Sequence, residues 1–344
     1  MLSLRKCAYM FFRLISIHSE FKLNTIASEI LIMNSANADC PFNITDEFYT
    51  SSQLSKGFYL LSILNLVIDS CLPVISVGGS TLLILAIFKF PHLREVPSNL
   101  LLTSQAVCDL LIGVFAQPLI AVRLASRLFG FADCLLQQNF LNALGMYVTH
   151  FLLYSSCLNL CLITVDRYVC ITHPLGYQSL VTVKTALKAI IACWSLSVAF
   201  AAVPVFLTHK ADTLSPVITS RAVACIPPLL LVFTTFFCYF KMTRIARRHW
   251  MLIRALVSDT NNPTKQDVKS TRTTLIMVGV VFLCYVPTTS AVLGLYITKN
   301  LALLEVVLPF LSTLTFLNSS INPLVYYVRC RRIRRYVWKV IKRK

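Results

Sequence analysis

The sequence predicts an all-α integral membrane protein: a bundle of seven transmembrane helices followed by a short amphipathic C-terminal helix. Composition is the first reason. Of 344 residues, 56% are hydrophobic and 13% charged, with a mean hydropathy of +0.71, too apolar for a soluble domain whose surface must carry charge. Length is the second, because a spanning helix needs about 20 mainly apolar residues to cross about 30 Å of hydrocarbon. The stretches 63–88, 99–122, 140–165, 186–207, 222–240, 273–296 and 301–327 qualify. None alternates with period two, so they read as helices and not barrel strands.

The net charge of +18 raises the possibility of nucleic acid, but its distribution excludes that reading. Between runs five and six lie Lys241, Arg244, Arg247, Arg248, Arg254, Lys265, Lys269 and Arg272 against Asp259 and Asp267. After run seven come Arg329, Arg331, Arg332, Arg334, Arg335, Lys339, Lys342, Arg343 and Lys344, with no acid. The opposite loops are nearly balanced: Arg123, Arg127 and Asp133; Lys210, Asp212 and Arg221; Lys299 and Glu305. Basic loops stay cytoplasmic, so seven spans place the N-terminus outside and the C-terminus inside. The charge thus encodes topology and attraction to anionic lipid.

Three segments follow: 1–58 outside, a seven-span domain 59–328, and a basic tail 329–344. Residues 1–32 make a poor signal peptide because Arg13 interrupts the apolar part, and a start at Met33 would remove them. Asn43-Ile44-Thr45 is a glycosylation sequon on the outer side. Run two places Asp109 in mid-span, where an isolated carboxylate costs about 2.5 to 3.5 kcal/mol and so needs hydrogen bonds, a proton or a cation. Run three ends in Asp166-Arg167-Tyr168; a guanidinium there can pair with a carboxylate or simply snorkel. Run four carries Trp194, and only 208–221 connect it to run five. Pro287 in run six and Pro323 in run seven remove backbone donors, giving either a static bend or a helix with two geometries. In the tail, Ile333, Tyr336, Val337 and Trp338 fit one face of an interfacial helix, and Cys330 is a candidate for palmitoylation. Most of the thirteen cysteines fall inside apolar runs as small packing residues. Cys40, Cys134 and Cys225 are the ones facing the oxidising side.

Asp109, the segment from Asp166 to Leu175, Trp194, the segment from Phe282 to Pro287 and Asn318-Ser319-Ser320-Ile321-Asn322-Pro323-Leu324-Val325-Tyr326 occur in one order. That order resembles the rhodopsin-like (class A) G-protein-coupled receptors. The resemblance implies a plasma-membrane receptor that couples to a heterotrimeric G protein, and to arrestin. In that family Arg167 would be clamped by Asp166 and by Asp267 at the foot of run six. Pro174, Leu175, Tyr239 and Leu275 would line the G-protein groove, and Asn322, Pro323 and Tyr326 would form the run-seven switch. Phe282, Tyr285 and Pro287 would form that of run six. Asp109, Ser156, Asn318, Ser319 and Asn322 match an allosteric sodium pocket, whose oxygens suit a hard cation; the alternative is a protonated or amide-paired aspartate tying runs two and seven. No other cofactor is expected.

Departures from the family pattern are informative. Ser80 replaces the usual asparagine of run one, Tyr285 the usual tryptophan of run six, and Leu231 the usual proline of run five, with Pro227 and Pro228 a turn earlier. The family's outer disulfide would join Cys134 to Cys225, although Cys134 lies further from Asp166 than is usual. The short second outer loop is similar to that of the melanocortin, cannabinoid and lysophospholipid group. Thr149 stands where amine receptors carry an aspartate for the ligand ammonium, which disfavours an amine bound in that way. Run seven has no lysine for a retinal Schiff base. Asn142, Tyr147, Thr149, His150, Tyr285 and Thr288 remain as pocket residues, suited to a small neutral molecule, a lipid or a short peptide. The rival class is a transporter or channel with Asp69 and Asp109 as ion-path carboxylates. An enzyme is not expected, because metal-ligand spacings, phosphate loops and nucleophile elbows are missing.

Overall fold

A computed structural model describes residues 56–129, 139–173, 175–209, 214–256, 264–298, 307–329 and 331–341, some of them, including Asn142, Asp267 and Leu275, by backbone alone. Among the described residues all regular structure is helical. The first span is α1 (Lys56–Lys89), followed by a one-turn α2 (Pro91–Arg94). The second comprises α3 (Pro97–Leu111), a π-turn (Ile112–Ala116) and α4 (Gln117–Phe129). The third is α5 (Asn139–Thr172); a short α6 (Tyr177–Leu180) leads to the fourth, α7 (Val183–His209). The fifth joins α8 (Leu214–Ala224) to α9 (Ile226–Leu256), the sixth is α10 (Thr264–Thr298), the seventh α11 (Leu308–Arg329), and α12 (Arg331–Ile341) follows.

Six of these spans are long and apolar enough to cross a membrane on length and composition alone. The described part of α11 is shorter and carries Thr313, Thr315, Asn318, Ser319, Ser320 and Asn322, all of them buried. Its polar side chains therefore face the bundle, where other helices satisfy them. The outer surface is as apolar as the interior: Val74, Phe88, Phe233, Leu283 and Ile297 are all exposed, which suits lipid and not water.

Proline sets several local geometries. Pro118 has no N–H and its ring would clash with the carbonyl of Val114, and the π-turn just before it supplies the extra residue that relieves this. Pro227 and Pro228 deprive the preceding carbonyls of donors, so the helix breaks at Cys225, whose N–H reaches Ala222 O at 3.1 Å. The segment 208–221, read from sequence as an outer connection, is largely helical, because α8 already begins at Leu214. Ser220 ties that helix to α7 by donating to Pro204 O at 2.8 Å.

α5 is central, packing against α3, α7 and α9, while α1 packs against the second span and α11, and α10 against α9 and α11. A cytoplasmic-side core of Leu83, Ile87, Leu93, Leu101, Tyr326 and Val337 joins α1, the second span, α11 and α12. A middle core of Cys157, Leu231, Val281, Cys284 and Tyr285 joins the third, fifth and sixth spans. α12 docks through Val337 and through Tyr336, whose ring lies 4.5 Å from Phe90 and 4.9 Å from His92. Trp338, placed on the apolar face by the sequence, is 55% exposed, so the bundle-facing side is narrower than expected.

Candidate functional site

Polar side chains gather at three depths. At the cytoplasmic end of α5, Asp166 is only 5% exposed. Its Oδ2 pairs with Arg167 Nη2 at 2.7 Å and accepts from Ser98 Oγ at 3.1 Å, while Oδ1 accepts from the Tyr177 hydroxyl at 2.7 Å. Ser98 and Tyr177 also bond to each other at 2.9 Å. One carboxylate thus links the foot of the second span, the end of the third and the inner-loop helix α6. The Arg167 side chain remains 41% exposed, so its guanidinium is anchored on one side and open on the other. Charge-assisted bonds of this kind are stronger than neutral ones. Tyr168 is half-buried beside them, Tyr239 lies half-buried on α9, and Leu175 is fully solvent-facing at 101%. Asp267 belongs to α10, but its side chain, that of Leu275 and all of Pro174 lie outside the described residues.

At mid-depth, Asp109 is fully buried. Its Oδ2 accepts from Asn322 Nδ2 at 3.1 Å and its Oδ1 from Gln105 Nε2 at 3.0 Å. The same Gln105 amide donates to Ser156 Oγ at 2.8 Å, so it stands between Asp109 and Ser156. Ser76 donates to the Asp109 carbonyl at 2.7 Å, and Ser156 and Ser319 bear on the carboxylate as further partners. Asn318 is 1% exposed with neither amide atom bonded, and Gln105 Oε1 is likewise buried without a partner. The carboxylate and the Ser156 and Gln105 oxygens are the kind of donors a hard cation takes. Of the residues expected from sequence, Ser156, Ser319 and Asn322 gather on Asp109, while Asn318 is buried with no bond to any of them. The sequence reading missed Gln105, although a glutamine one turn before a buried aspartate on the same face was a legible signal. Ser80 Oγ has no partner, so the weak polar link expected from losing the asparagine is what the structure has.

Around the seventh-span kink, a Cβ on Gly79 would lie 2.7 Å from Pro323 Cβ, and the Tyr327 hydroxyl donates to Gly79 O. Tyr326, 3% exposed, packs in the cytoplasmic core. Tyr285 is 1% exposed in the middle core, and the Phe282 ring lies tilted at 6.3 Å from that of Phe236. These are the switch residues expected from sequence, and all are packed.

In the outer half, the pocket set is only partly assembled. Thr149 turns its hydroxyl back onto Gly145 O at 2.7 Å, and His150 Nδ1 meets Met146 O at 2.8 Å with its ring 5.7 Å from Tyr154. Thr288, expected as a pocket residue, donates to Leu311 O at 2.8 Å and meets Thr315 at 3.1 Å, stitching α10 to α11. Tyr147 donates to Val198 O on α7 at 3.3 Å. The Asn142 side chain, Asn43 and Cys134 lie outside the described residues. The expected bridge to Cys225 is corrected: Cys225 is a free thiol at the break inside the fifth span, packed against the Ile218, Val292, Leu295 and Leu308 cluster. Asp69, 2% exposed, accepts from Thr313 at 3.1 Å, a hydroxyl shared with Asn65 Oδ1 at 2.9 Å.

A family model described as 7 transmembrane receptor (rhodopsin family) matches residues 79–326. Among similar proteins, trace amine-associated receptor 2 of Mus musculus is 29% identical over 291 residues, covering 78% of this chain and 82% of its own. Trace amine-associated receptor 5 of Mus musculus is 28% identical over 287 residues, covering 78% and 82%. A D(1)-like dopamine receptor of Takifugu rubripes is 28% identical over 305 residues, covering 72% and 63%.

Proposed function

This chain belongs to the rhodopsin family of seven-transmembrane receptors, and from that premise we propose how its residues carry out G-protein coupling. As a G-protein-coupled receptor it is a multi-pass membrane protein, not an enzyme or a transporter, and its class binds small molecules. In our reading it lies in the plasma membrane with its basic face inside, its N-terminus outside and Arg167 at the cytoplasmic mouth. The observation that carries this reading is the Asp166 cluster. A buried carboxylate that holds one side of Arg167 through Ser98 and Tyr177 leaves the other side free to meet Asp267 in the closed state and a G protein in the open one. Opening then moves the foot of α10 away from α5. The G protein's C-terminal helix enters that gap beside Tyr239, Leu275, Pro174 and Leu175, as helix-in-groove recognition requires. Arrestin uses the same face, and exposed Arg334 and Arg335 on α12 sit against anionic lipid.

The names of the relatives point to amines. Thr149 argues against an amine held in the usual way, because it supplies a hydroxyl already turned to its own helix where a carboxylate would be needed. A sodium ion beside Asp109, held with Ser156 and Asn318, would supply a fixed positive charge that favours the closed bundle. Nucleotide exchange on a G protein in reconstituted vesicles tests the coupling scheme. Arg167→Ala should abolish exchange at equal receptor density, and Asp267→Ala should raise it without ligand. Unchanged exchange in both variants would remove the arginine switch from the account.

A further inference from the structure

The outer half of α1 holds a carboxylate with too few donors around it. Asp69 and Asn65, one turn apart on α1, are 2% and 4% exposed, and both face the buried Thr313 of α11. The Thr313 hydroxyl lies 2.9 Å from Asn65 Oδ1, 3.1 Å from Asp69 Oδ2 and 3.3 Å from Pro309 O of its own helix, so one hydrogen faces several acceptors. Asp69 has no basic partner among the described residues. Pro73, one turn further inward, lacks the N–H that the Asp69 carbonyl would accept within the helix. Turning the Asn65 amide over would lend Thr313 a donor, but the carboxylate would keep its charge with nothing opposite to balance it. The second span brings a further acceptor. A Cβ on Gly113 would lie 2.8 Å from Val77 Cγ2 and 3.4 Å from Pro73 O, so the π-turn and α1 touch there. One turn outward on each of these antiparallel helices come Gln117 and Asp69. Gln117 is 1% exposed; its Nε2 donates to Phe316 O on α11 at 3.5 Å, one turn from Thr313, and its Oε1 is buried with no partner. A buried amide oxygen without a donor is uncommon, and this one stands at the junction of the same three spans.

We propose that this junction is a cation site of its own, separate from the one beside Asp109, and that it takes a sodium ion between the Asp69 carboxylate, Asn65 Oδ1 and the Thr313 hydroxyl, with Gln117 Oε1 closing it from the second span. All of these are hard oxygen donors. The Thr313 hydroxyl can turn its hydrogen to Pro309 O and leave its lone pairs to an ion. One carboxylate among neutral oxygens balances a single positive charge, so a monovalent ion fits, whereas a divalent one would leave buried charge unpaired. Asp69 is about 30 Å along α1 from Lys89 at its inner end, the thickness of the hydrocarbon layer, so outer water lies within reach of a small ion. Asn322, the α11 partner of Asp109, lies about 13 Å further inward along that helix than Thr313, which keeps the two carboxylates in different sites. An ion held here ties α1 to the span that carries Asn322 and Pro323. The inference does not depend on the coupling scheme, because ion binding is read without a G protein.

The test uses the purified full-length receptor in a neutral maltoside detergent and reads its melting temperature as sodium chloride replaces choline chloride at constant ionic strength. Asp109→Asn removes the mid-depth carboxylate, and this variant should still melt about 2 to 5 °C higher in about 150 mM sodium than in choline. Potassium should give a smaller shift. Adding Asp69→Asn to that variant should abolish the sodium shift, and adding Thr313→Val or Gln117→Met should weaken sodium about tenfold, the scale of one lost ligand. Melting in choline shows whether each variant is folded. Where Asp109→Asn does not fold, wild type is compared with Asp69→Asn, which should show the smaller sodium shift; where Asp69→Asn does not fold, Thr313→Val and Gln117→Met decide. No sodium shift in Asp109→Asn, a full shift surviving in its Asp69→Asn partner or in both of the other variants, equal sodium shifts in wild type and Asp69→Asn, or equal stabilisation by potassium overturns the proposal. Melting that ignores sodium but rises with falling pH in wild type and not in Asp69→Asn assigns the junction to a proton. Stabilisation through Asp69 by phenethylamine but not by sodium assigns it to a ligand ammonium, and either result overturns the sodium site.

Discussion

At the residue scale, Tyr177 and Gln105 are the side chains that hold the two buried carboxylates, and of the two only Gln105, one turn from Asp109, had a signal in the linear sequence. Tyr177 donates to Asp166 at 2.7 Å, and burial, with the Asp166 bond and charge behind it, pushes the phenol above its ordinary pKa. It therefore stays protonated, and remains a donor, throughout the pH range in which cells operate. Tyr177→Phe leaves Asp166 with one donor fewer and loosens its hold on Arg167. Ligand-independent nucleotide exchange should rise about tenfold, in line with a lost hydrogen bond to a charged group at the low end of about 1.5 to 3 kcal/mol; an unchanged basal rate would assign the tyrosine to folding alone. Gln105 places its amide between Asp109 and Ser156, where it would compete with the proposed cation for the same two oxygens. Agonist affinity in wild type should fall as sodium replaces a bulky organic cation, because an ion that prefers the closed state must disfavour ligands of the open one. Asp109→Asn should abolish that fall and Gln105→Leu should enlarge it. If sodium has no effect on wild type or on Gln105→Leu, the cluster is a hydrogen-bonded tie between the second and seventh spans.

At the scale of elements, helix geometry follows local chemistry more closely than helix boundaries do. The π-turn before Pro118 and the break before Pro227 are both answers to missing N–H donors, and both shift the register of inward-facing residues beyond them. The approach of α1 to the α11 kink depends on one missing methyl group. A Cβ on Gly79 would sit 2.7 Å from that of Pro323, closer than carbon atoms tolerate, and the Tyr327 hydroxyl closes the same contact onto the Gly79 carbonyl. Gly79→Ala should therefore destabilise the receptor by about 1 to 3 kcal/mol, the usual cost of overpacking, seen as a lower melting temperature of purified protein. A melting temperature equal to wild type would show that the two helices separate without strain. At the cytoplasmic end, α12 is held to the bundle by Val337 and by the Tyr336 contacts with Phe90 and His92. The sequence periodicity marked its apolar face, but only packing separated the buried Val337 from Trp338, which stays 55% exposed.

At the scale of the whole molecule, the proposed coupling scheme makes the inner-loop surface the meeting place with the G protein. Leu175 is wholly exposed at 101% on an otherwise polar turn, which suits apolar contact with a docked helix. Leu175→Asp should reduce G-protein activation several-fold while agonist binding to uncoupled receptor stays intact, and full coupling in that variant would exclude this loop from the docking surface. The sequence by itself determined the all-α class, the membrane setting and the receptor family. Those depend on hydrophobic run length and on rare polar groups inside apolar helices, and both signals are local. Tertiary structure alone decided which side chains share a site. Thr288 and Tyr147 show only a position along their helices in the sequence, whereas packing gives each a backbone carbonyl on a neighbouring helix as partner. Cys225 looked like an outer-loop cysteine until a helix break placed it in an apolar cluster. Ser98 reached Asp166, and Asn322 reached Asp109, only when helices distant in sequence packed together. A residue's face on a helix follows from local periodicity, whereas the partner across an interface depends on how whole helices cross.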